Sequence, residues 1–245
     1  MNKAISEKKI VLSERMRSIV NMLKLEAQKD GIIPGVLDIG CDHAFVSIAC
    51  IKEAIAKHVI AVDVRKGPLE IAQSNIQMFG MEKSVETRLS DGFEQVEPHE
   101  ASWAVIAGMG GELMRNILQK GKQHLDAGIG LILQPQSEPD AVRYLLSEQK
   151  YVITDEMFLQ EDGKFYTIIK AKKGTENIYL EEVEAIYGPV LLQRMEPLFA
   201  DYLQSERKKK QQLFDVLSEK DTQSARLRCK TLKQEIAMLS DIGRR

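Results

Sequence analysis

The segment Val36-Leu37-Asp38-Ile39-Gly40-Cys41-Asp42-His43-Ala44 constrains the fold of this chain more than any other. Val36–Ile39 reads as a short buried strand. Gly40 then allows the chain to turn closely past whatever lies beside it, since it carries no Cβ. A helix is expected from about His43 to Ala56. The same unit recurs downstream. Strands are predicted at Val59–Val64, Val85–Leu89, Trp103–Ala107 and Ile129–Leu133. Helices are predicted from about Pro68 to Phe79, Glu112 to Lys120 and Pro139 to Gln149. Tyr151–Leu159 and Phe165–Lys172 are separated by Glu161-Asp162-Gly163-Lys164 and read as a β-hairpin.

Alternating strands and helices closed by a hairpin predict an α/β fold. Its sheet is mostly parallel, with helices on both faces and an antiparallel edge. Ligands of such sheets bind outside the carboxyl ends of the strands, where strand order reverses. The loops after Ile39, Val62, Leu89 and Ile106 are therefore where chemistry is expected.

Beyond Gly174 the pattern changes. Glu176 to Asp241 is rich in Leu, Glu, Lys and Gln. Leu191, Met195, Leu198 and Tyr202 recur at heptad-like steps, as do Ala225, Cys229, Leu232, Ile236 and Leu239. Lys220-Asp221-Thr222 is the expected turn between two antiparallel helices. The predicted organisation is a cofactor-binding domain over residues 1–174 and a helical hairpin over 175–245. So short a heptad pattern, with a turn inside it, suits pairing within one chain, so a monomer is expected. Arg207 to Lys233 holds nine basic and three acidic residues. This local excess suits either a solvated helical face or an arm that contacts phosphates, with Lys208, Lys209, Lys210, Arg226 and Arg228 as candidates.

Composition excludes several classes. The net charge of −2 argues against a wholly electrostatic nucleic-acid binder. Three cysteines without CxxC spacing argue against a disulfide framework and a zinc site, so no metal is expected. Met1 to Val20 contains no continuous apolar run. No signal peptide and no membrane span are therefore expected, and the cytoplasm is the expected compartment.

The glycine loop also limits the ligand. A dinucleotide fingerprint needs three glycines, yet its second and third positions are Asp42 and Phe45. A pyrophosphate would meet the charge of Asp42. A ligand with a sulfonium and an ammonium group tolerates acids, which favours S-adenosylmethionine over NAD. Asp63, 25 residues after Asp38, stands where a carboxylate accepts ribose hydroxyls. Asp91 is placed to accept from the adenine amine, and Gly92 to let the ring lie against the backbone. Ala107-Gly108-Met109-Gly110-Gly111 implies backbone packed close to a neighbour, with carbonyls and N–H groups open to a substrate and Gln136 on the same rim. These residues alone leave three readings open: a methyltransferase acting on RNA, a small-molecule methyltransferase with a dimerising hairpin, and a non-catalytic RNA-binding module.

Several motifs resemble the bacterial tRNA (adenine-N1)-methyltransferases that act on the adenine at position 22 of the D-arm. They are Leu12-Ser13-Glu14-Arg15-Met16, Asp38-Ile39-Gly40-Cys41-Asp42-His43-Ala44-Phe45 and Asp63-Val64-Arg65-Lys66-Gly67-Pro68-Leu69. Ser90-Asp91-Gly92-Phe93, Ile106-Ala107-Gly108-Met109-Gly110-Gly111 and Leu131-Ile132-Leu133-Gln134-Pro135-Gln136 complete the set. The resemblance implies a Rossmann-like class I methyltransferase domain with a coiled-coil-like C-terminal hairpin, S-adenosylmethionine as cofactor and tRNA as partner. It extends the cofactor set to Arg15, His43, Val64, Ala107, Gly108, Met109 and Gly110. Asp42, His43 and Phe45 are the candidates for catalysis. Phe45 and Cys41 depart from the family pattern, which favours tyrosine and a small polar residue there.

Overall fold

The computed structural model describes residues 10–176 and 178–243. The first nine residues of the Met1–Val20 stretch lie outside the described residues. The structure divides into two compact units, Met1–Glu181 and Glu182–Arg245.

The first unit is a seven-stranded sheet between two layers of helices. Its strands are β1 (Ile33–Ile39), β2 (Ala56–Asp63), β3 (Val85–Leu89), β4 (Trp103–Met109), β5 (Gly130–Pro135), β6 (Tyr151–Glu161) and β7 (Lys164–Lys173). The spatial order is β3-β2-β1-β4-β5-β7-β6. Strands β1 to β5 pair in parallel, whereas β7 runs antiparallel to both β5 and β6. Strand order reverses between β1 and β4, where Ile39 pairs with Ile106.

Helices α1 (Glu14–Asp30), α2 (Phe45–Lys52) and α3 (Lys66–Phe79) cover one face with a core that includes Ile19, Leu23, Ile48 and Ile76. Helices α4 (Gly111–Lys120), α5 (Lys122–Asp126) and α6 (Pro139–Glu148) cover the other with Met114, Leu118, Val142 and Leu146. Strands buried on both faces read as unbroken apolar runs, which is why Val59–Val62 and Leu131–Leu133 were legible.

Helix α1 begins where the Ser13 hydroxyl accepts from the Met16 N–H at 3.3 Å. Lower down, Lys170 on β7 reaches Glu26 at 2.9 Å and Asp155 at 3.5 Å. These buried pairs fasten α1 to the antiparallel edge of the sheet.

Several boundaries differ from expectation. The helix predicted from His43 to Ala56 covers only Phe45–Lys52, and Ala56 already opens β2. Asp42 and Ala44 both adopt left-handed backbone, with φ of 49° and 58°, so helical geometry cannot start before Phe45. Strand β2 ends at Asp63, which leaves Val64 outside it.

The second unit contains α7 (Glu182–Tyr187), α8 (Pro189–Arg194), α9 (Pro197–Ser218) and α10 (Gln223–Ile242). The turn falls at Lys220–Thr222 as predicted, with the Thr222 hydroxyl capping α10. Ala225, Leu232 and Leu239 are buried along the inner face of α10. The heptad Leu191–Tyr202 is not one helix. Met195 is left-handed at φ 45°, and Pro197 starts a new helix because it has no N–H to continue the old one.

Candidate active site

A cavity of about 510 Å³ lies at the point where strand order reverses. This volume suits a nucleoside-sized ligand. Its wall includes Arg15, Asp38, Gly40, Asp42, His43, Phe45, Asp63, Val64, Asp91, Gly92, Ala107, Gly108, Met109 and Gln136. Of the cofactor positions read from sequence, only Gly110 is outside this wall; it caps α4 next to Ser137.

The floor is set by β1. Gly40 turns with φ 73°, and both it and Cys41 donate to the Val62 carbonyl, at 2.8 and 3.0 Å. A Cβ on Gly40 would run into Met109 Cε. Asp38 points from β1 toward α2, where the Ser47 hydroxyl donates to it at 2.6 Å and the Ser47 N–H also bonds it. Burial pushes the Asp38 carboxyl up to about 6, against the lowering effect of these bonds. Burial also raises the Cys41 thiol, with Asp38, Asp63 and Asp42 adding to the effect, so Cys41 is an inert wall residue.

Asp63 ends β2. Its Oδ1 accepts the Arg65 N–H at 2.9 Å, and no hydrogen bond occupies its Oδ2 among the described residues. That free oxygen is what a ribose diol requires. Val64 and Leu113 are 63% and 51% exposed, large apolar side chains beside the cleft that suit the two faces of a purine ring. Asp91 follows β3 with its Oδ2 engaged by Lys120 at 2.6 Å, a pair open to solvent. Gly92 adopts φ 62°. Four carboxylates and two guanidiniums line the cavity, from Asp38, Asp42, Asp63, Asp91, Arg15 and Arg65. The balance favours a cationic ligand over a pyrophosphate, so the residues present fit S-adenosylmethionine.

The opposite wall is the end of β4. Register passes from Ala107↔Gln134 to Met109↔Pro135, leaving Gly108 as a bulge with φ 75°. Gly111 is packed so tightly that a Cβ would lie 2.5 Å from the Ser137 carbonyl. Gly111 therefore serves close backbone approach, against the Ser137 and Glu138 carbonyls, whereas Gly108 is held to glycine by its positive φ.

Arg15 lies on this side. Its Nη1 donates to Gln134 Oε1 at 2.7 Å, its Nε lies 3.7 Å from Glu161, and its guanidinium stands 5.0 Å from the Tyr166 ring. His43 and Phe45 meet at 5.8 Å between ring centroids, and His43 lies 3.5 Å from Asp42. The three catalytic candidates are thus neighbours on one lip.

Sequence reasoning named Gln136 but passed over Gln134, a fully buried side chain. The available signal was a single amide inside the apolar run Gly130–Pro135.

The model of the family TrmK, tRNA (adenine(22)-N(1))-methyltransferase, matches residues 36–241. The chain belongs to this family. A tRNA (adenine(22)-N(1))-methyltransferase of Bacillus subtilis is 28% identical over 236 residues, covering 94% of this chain and 96% of the relative. The solved structure of the Bacillus subtilis m1A22 tRNA methyltransferase TrmK superposes with a TM-score of 0.81 at 28% identity, over 96% of this chain and 99% of that one. A Streptococcus pneumoniae structure described as a putative tRNA (m1A22) methyltransferase contains S-adenosyl-L-methionine. It gives a TM-score of 0.78 at 28% identity, over 95% and 99% of the two chains. The TrmK family thus has a member solved with the ligand that the acid-lined cleft suits.

In the second unit, Lys210 and Arg228 both engage Glu235, Lys209 engages Glu206, and Arg226 engages Asp221. Lys208 is exposed beside Arg207 on a groove formed with Gln204 and Gln211.

Proposed function

We propose that this enzyme transfers a methyl group from S-adenosylmethionine to N1 of adenine 22 in the tRNA D-arm. The observation that carries this reading is the switch-point cleft. Acids at the ends of β1, β2 and β3 face a glycine bulge at the end of β4, on a chain that the TrmK family model matches.

When bound, the cofactor supplies an electrophilic methyl group on a positive sulfur. Asp63 would hold the ribose through its open Oδ2, and Val64 and Leu113 would flank the adenine ring. Asp91, now paired with Lys120, would accept from the cofactor's exocyclic amine. Adenine N1 lies on the base-pairing edge, so the target base has to leave its stack to enter the cleft. Phe45 and His43 offer stacking surfaces at the lip. N1 is a neutral nucleophile, so the main task of the protein is alignment at about 3–3.5 Å. Positive charge then grows on the purine, and acceptors near its amine stabilise it. The Ala107 carbonyl and the Asp42 carboxylate are the acceptors at hand, since the Met109 and Gly110 carbonyls already accept from the Gln136 and Met114 N–H groups.

The hairpin of α9 and α10 is read as a tRNA-contacting arm. Arg207 and Lys208, without an ion-pair partner among the described residues, make the first phosphate contacts in this reading, and Lys209, Lys210, Arg226 and Arg228 join by exchanging intramolecular acids for phosphates. Pairing of the heptad face within the chain supports a monomer, and a tRNA substrate suits work in the cytoplasm. No helix among the described residues is long and apolar enough to cross a membrane.

Methyl transfer to an unmodified tRNA transcript, followed by nucleoside analysis, tests the proposal. 1-Methyladenine is expected in the wild-type transcript and absent when adenine 22 is replaced by guanine. Equal methylation of both transcripts would reject the assigned position.

A further inference from the structure

Gln134 is 0% exposed at the end of β5, yet both ends of its amide are in use. Its Oε1 accepts two bonds, from the Gly108 N–H at 3.1 Å and from Arg15 Nη1 at 2.7 Å. Its Nε2 donates to the Pro135 carbonyl at 3.1 Å, which fixes the orientation of the amide. Gly108 is the residue at which the β4–β5 register jumps, and Gln134 fills the acceptor position that the jump leaves open.

The consequence reaches the cleft through peptide geometry. In a trans peptide the N–H and the preceding C=O point in opposite directions. With the Gly108 N–H held toward β5, the Ala107 carbonyl is turned toward β1. There β1 has ended at Ile39, and the next two amides bond to Val62 on the far side. The Ala107 carbonyl therefore lies beyond the β1–β4 ladder, in the wall of the cavity.

We infer that Gln134 is a positioning residue for methyl transfer: it locks the Ala107–Gly108 peptide so that the Ala107 carbonyl faces the target base, and it tethers Arg15 to the same loop. This inference rests on the proposed methyltransferase function. It assigns Gln134 a part in the chemical step and none in holding the cofactor's ribose or adenine, since Asp63, Val64 and Asp91 lie at or just beyond the ends of β2 and β3. Losing the acceptor leaves a buried peptide N–H and a guanidinium competing for new partners, and the peptide is then free to rotate.

The test uses the full chain and an unmodified tRNA transcript. Q134L keeps the volume and removes the acceptor; Q134E keeps an acceptor for both donors. Q134L is expected to lower kcat about tenfold or more, with cofactor affinity by calorimetry close to wild type, and Q134E to recover most of the loss. Wild-type kcat in Q134L, or equal damage in Q134E and Q134L, would overturn the inference. If Q134L does not fold, amide exchange in the wild-type protein decides. The Gly108 N–H is expected to be protected, and exchange at the rate of an open loop refutes the contact. A wild-type protein that makes no 1-methyladenine refutes the functional reading instead, and Gly108 exchange still reports on the contact.

Discussion

The Ser47 hydroxyl donates to the Asp38 carboxylate at 2.6 Å, joining the first turn of α2 to the end of β1 beneath the cofactor loop. Burial raises Asp38 from 3.8 to about 6. An acid whose folded pKa lies above its unfolded value binds its proton more tightly in the folded state. Its contribution to stability is therefore fully present below pH 4 and is lost as pH rises through 6. D38N removes this titration. Relative to wild type, D38N is expected to gain about 2 kcal/mol between pH 4 and pH 7. Urea midpoints at the two pH values check this, and parallel curves for the two proteins would refute it.

Asp63 presents one oxygen to the Arg65 N–H and leaves the other open to the cleft. D63A is expected to weaken cofactor binding about 10- to 100-fold, the range for hydrogen bonds to a charged acceptor. Calorimetry with S-adenosylmethionine measures it. Unchanged affinity would remove the ribose assignment.

Charge reversal should separate the two kinds of basic residue on the hairpin. Changing Arg207 and Lys208 to Glu is expected to weaken tRNA binding and lower the salt slope of log K by about 1 per lost phosphate contact. Cofactor affinity should not change. Lys210→Glu adds loss of the Glu235 pair, so its thermal midpoint is expected to fall as well. A salt slope identical to wild type in the Arg207/Lys208 variant counts against the arm.

Arg143 and Glu156 pair at 2.8 Å with side chains 1% and 0% exposed. Removing one partner of a buried pair is costly because the remaining charge stays out of water. Glu156→Ala is expected to cost about 3–5 kcal/mol of stability. Replacing both with apolar residues of similar size should recover part of this, as chemical denaturation would show.

The Glu26 carboxyl is raised by burial, but its pairs with Lys172 and Lys170 outweigh that and lower it overall. Its contribution is present above the unfolded value of 4.5 and is lost as pH falls through the lower folded value. Glu26→Gln is therefore expected to destabilise at pH 7 and to converge on wild type in acid, as measured by thermal unfolding.

Sequence alone was enough to establish the strand–helix alternation, the hairpin edge, the acids Asp38, Asp63 and Asp91, and the α9–α10 turn. These follow from local rules: apolar runs long enough to be buried, glycines where the chain must turn, and heptads with one face. The order β3-β2-β1-β4-β5-β7-β6 brings those strand ends around one cavity, and that is a property of the assembled sheet. Only the tertiary structure showed that Asp38 turns toward Ser47 and that Arg15 reaches Gln134 across 119 residues. It also decided that Asp42 and Ala44 bend left-handed and delay α2 to Phe45. Each of these depends on contacts between segments far apart in the chain, where packing and buried hydrogen bonds override what any local stretch prefers.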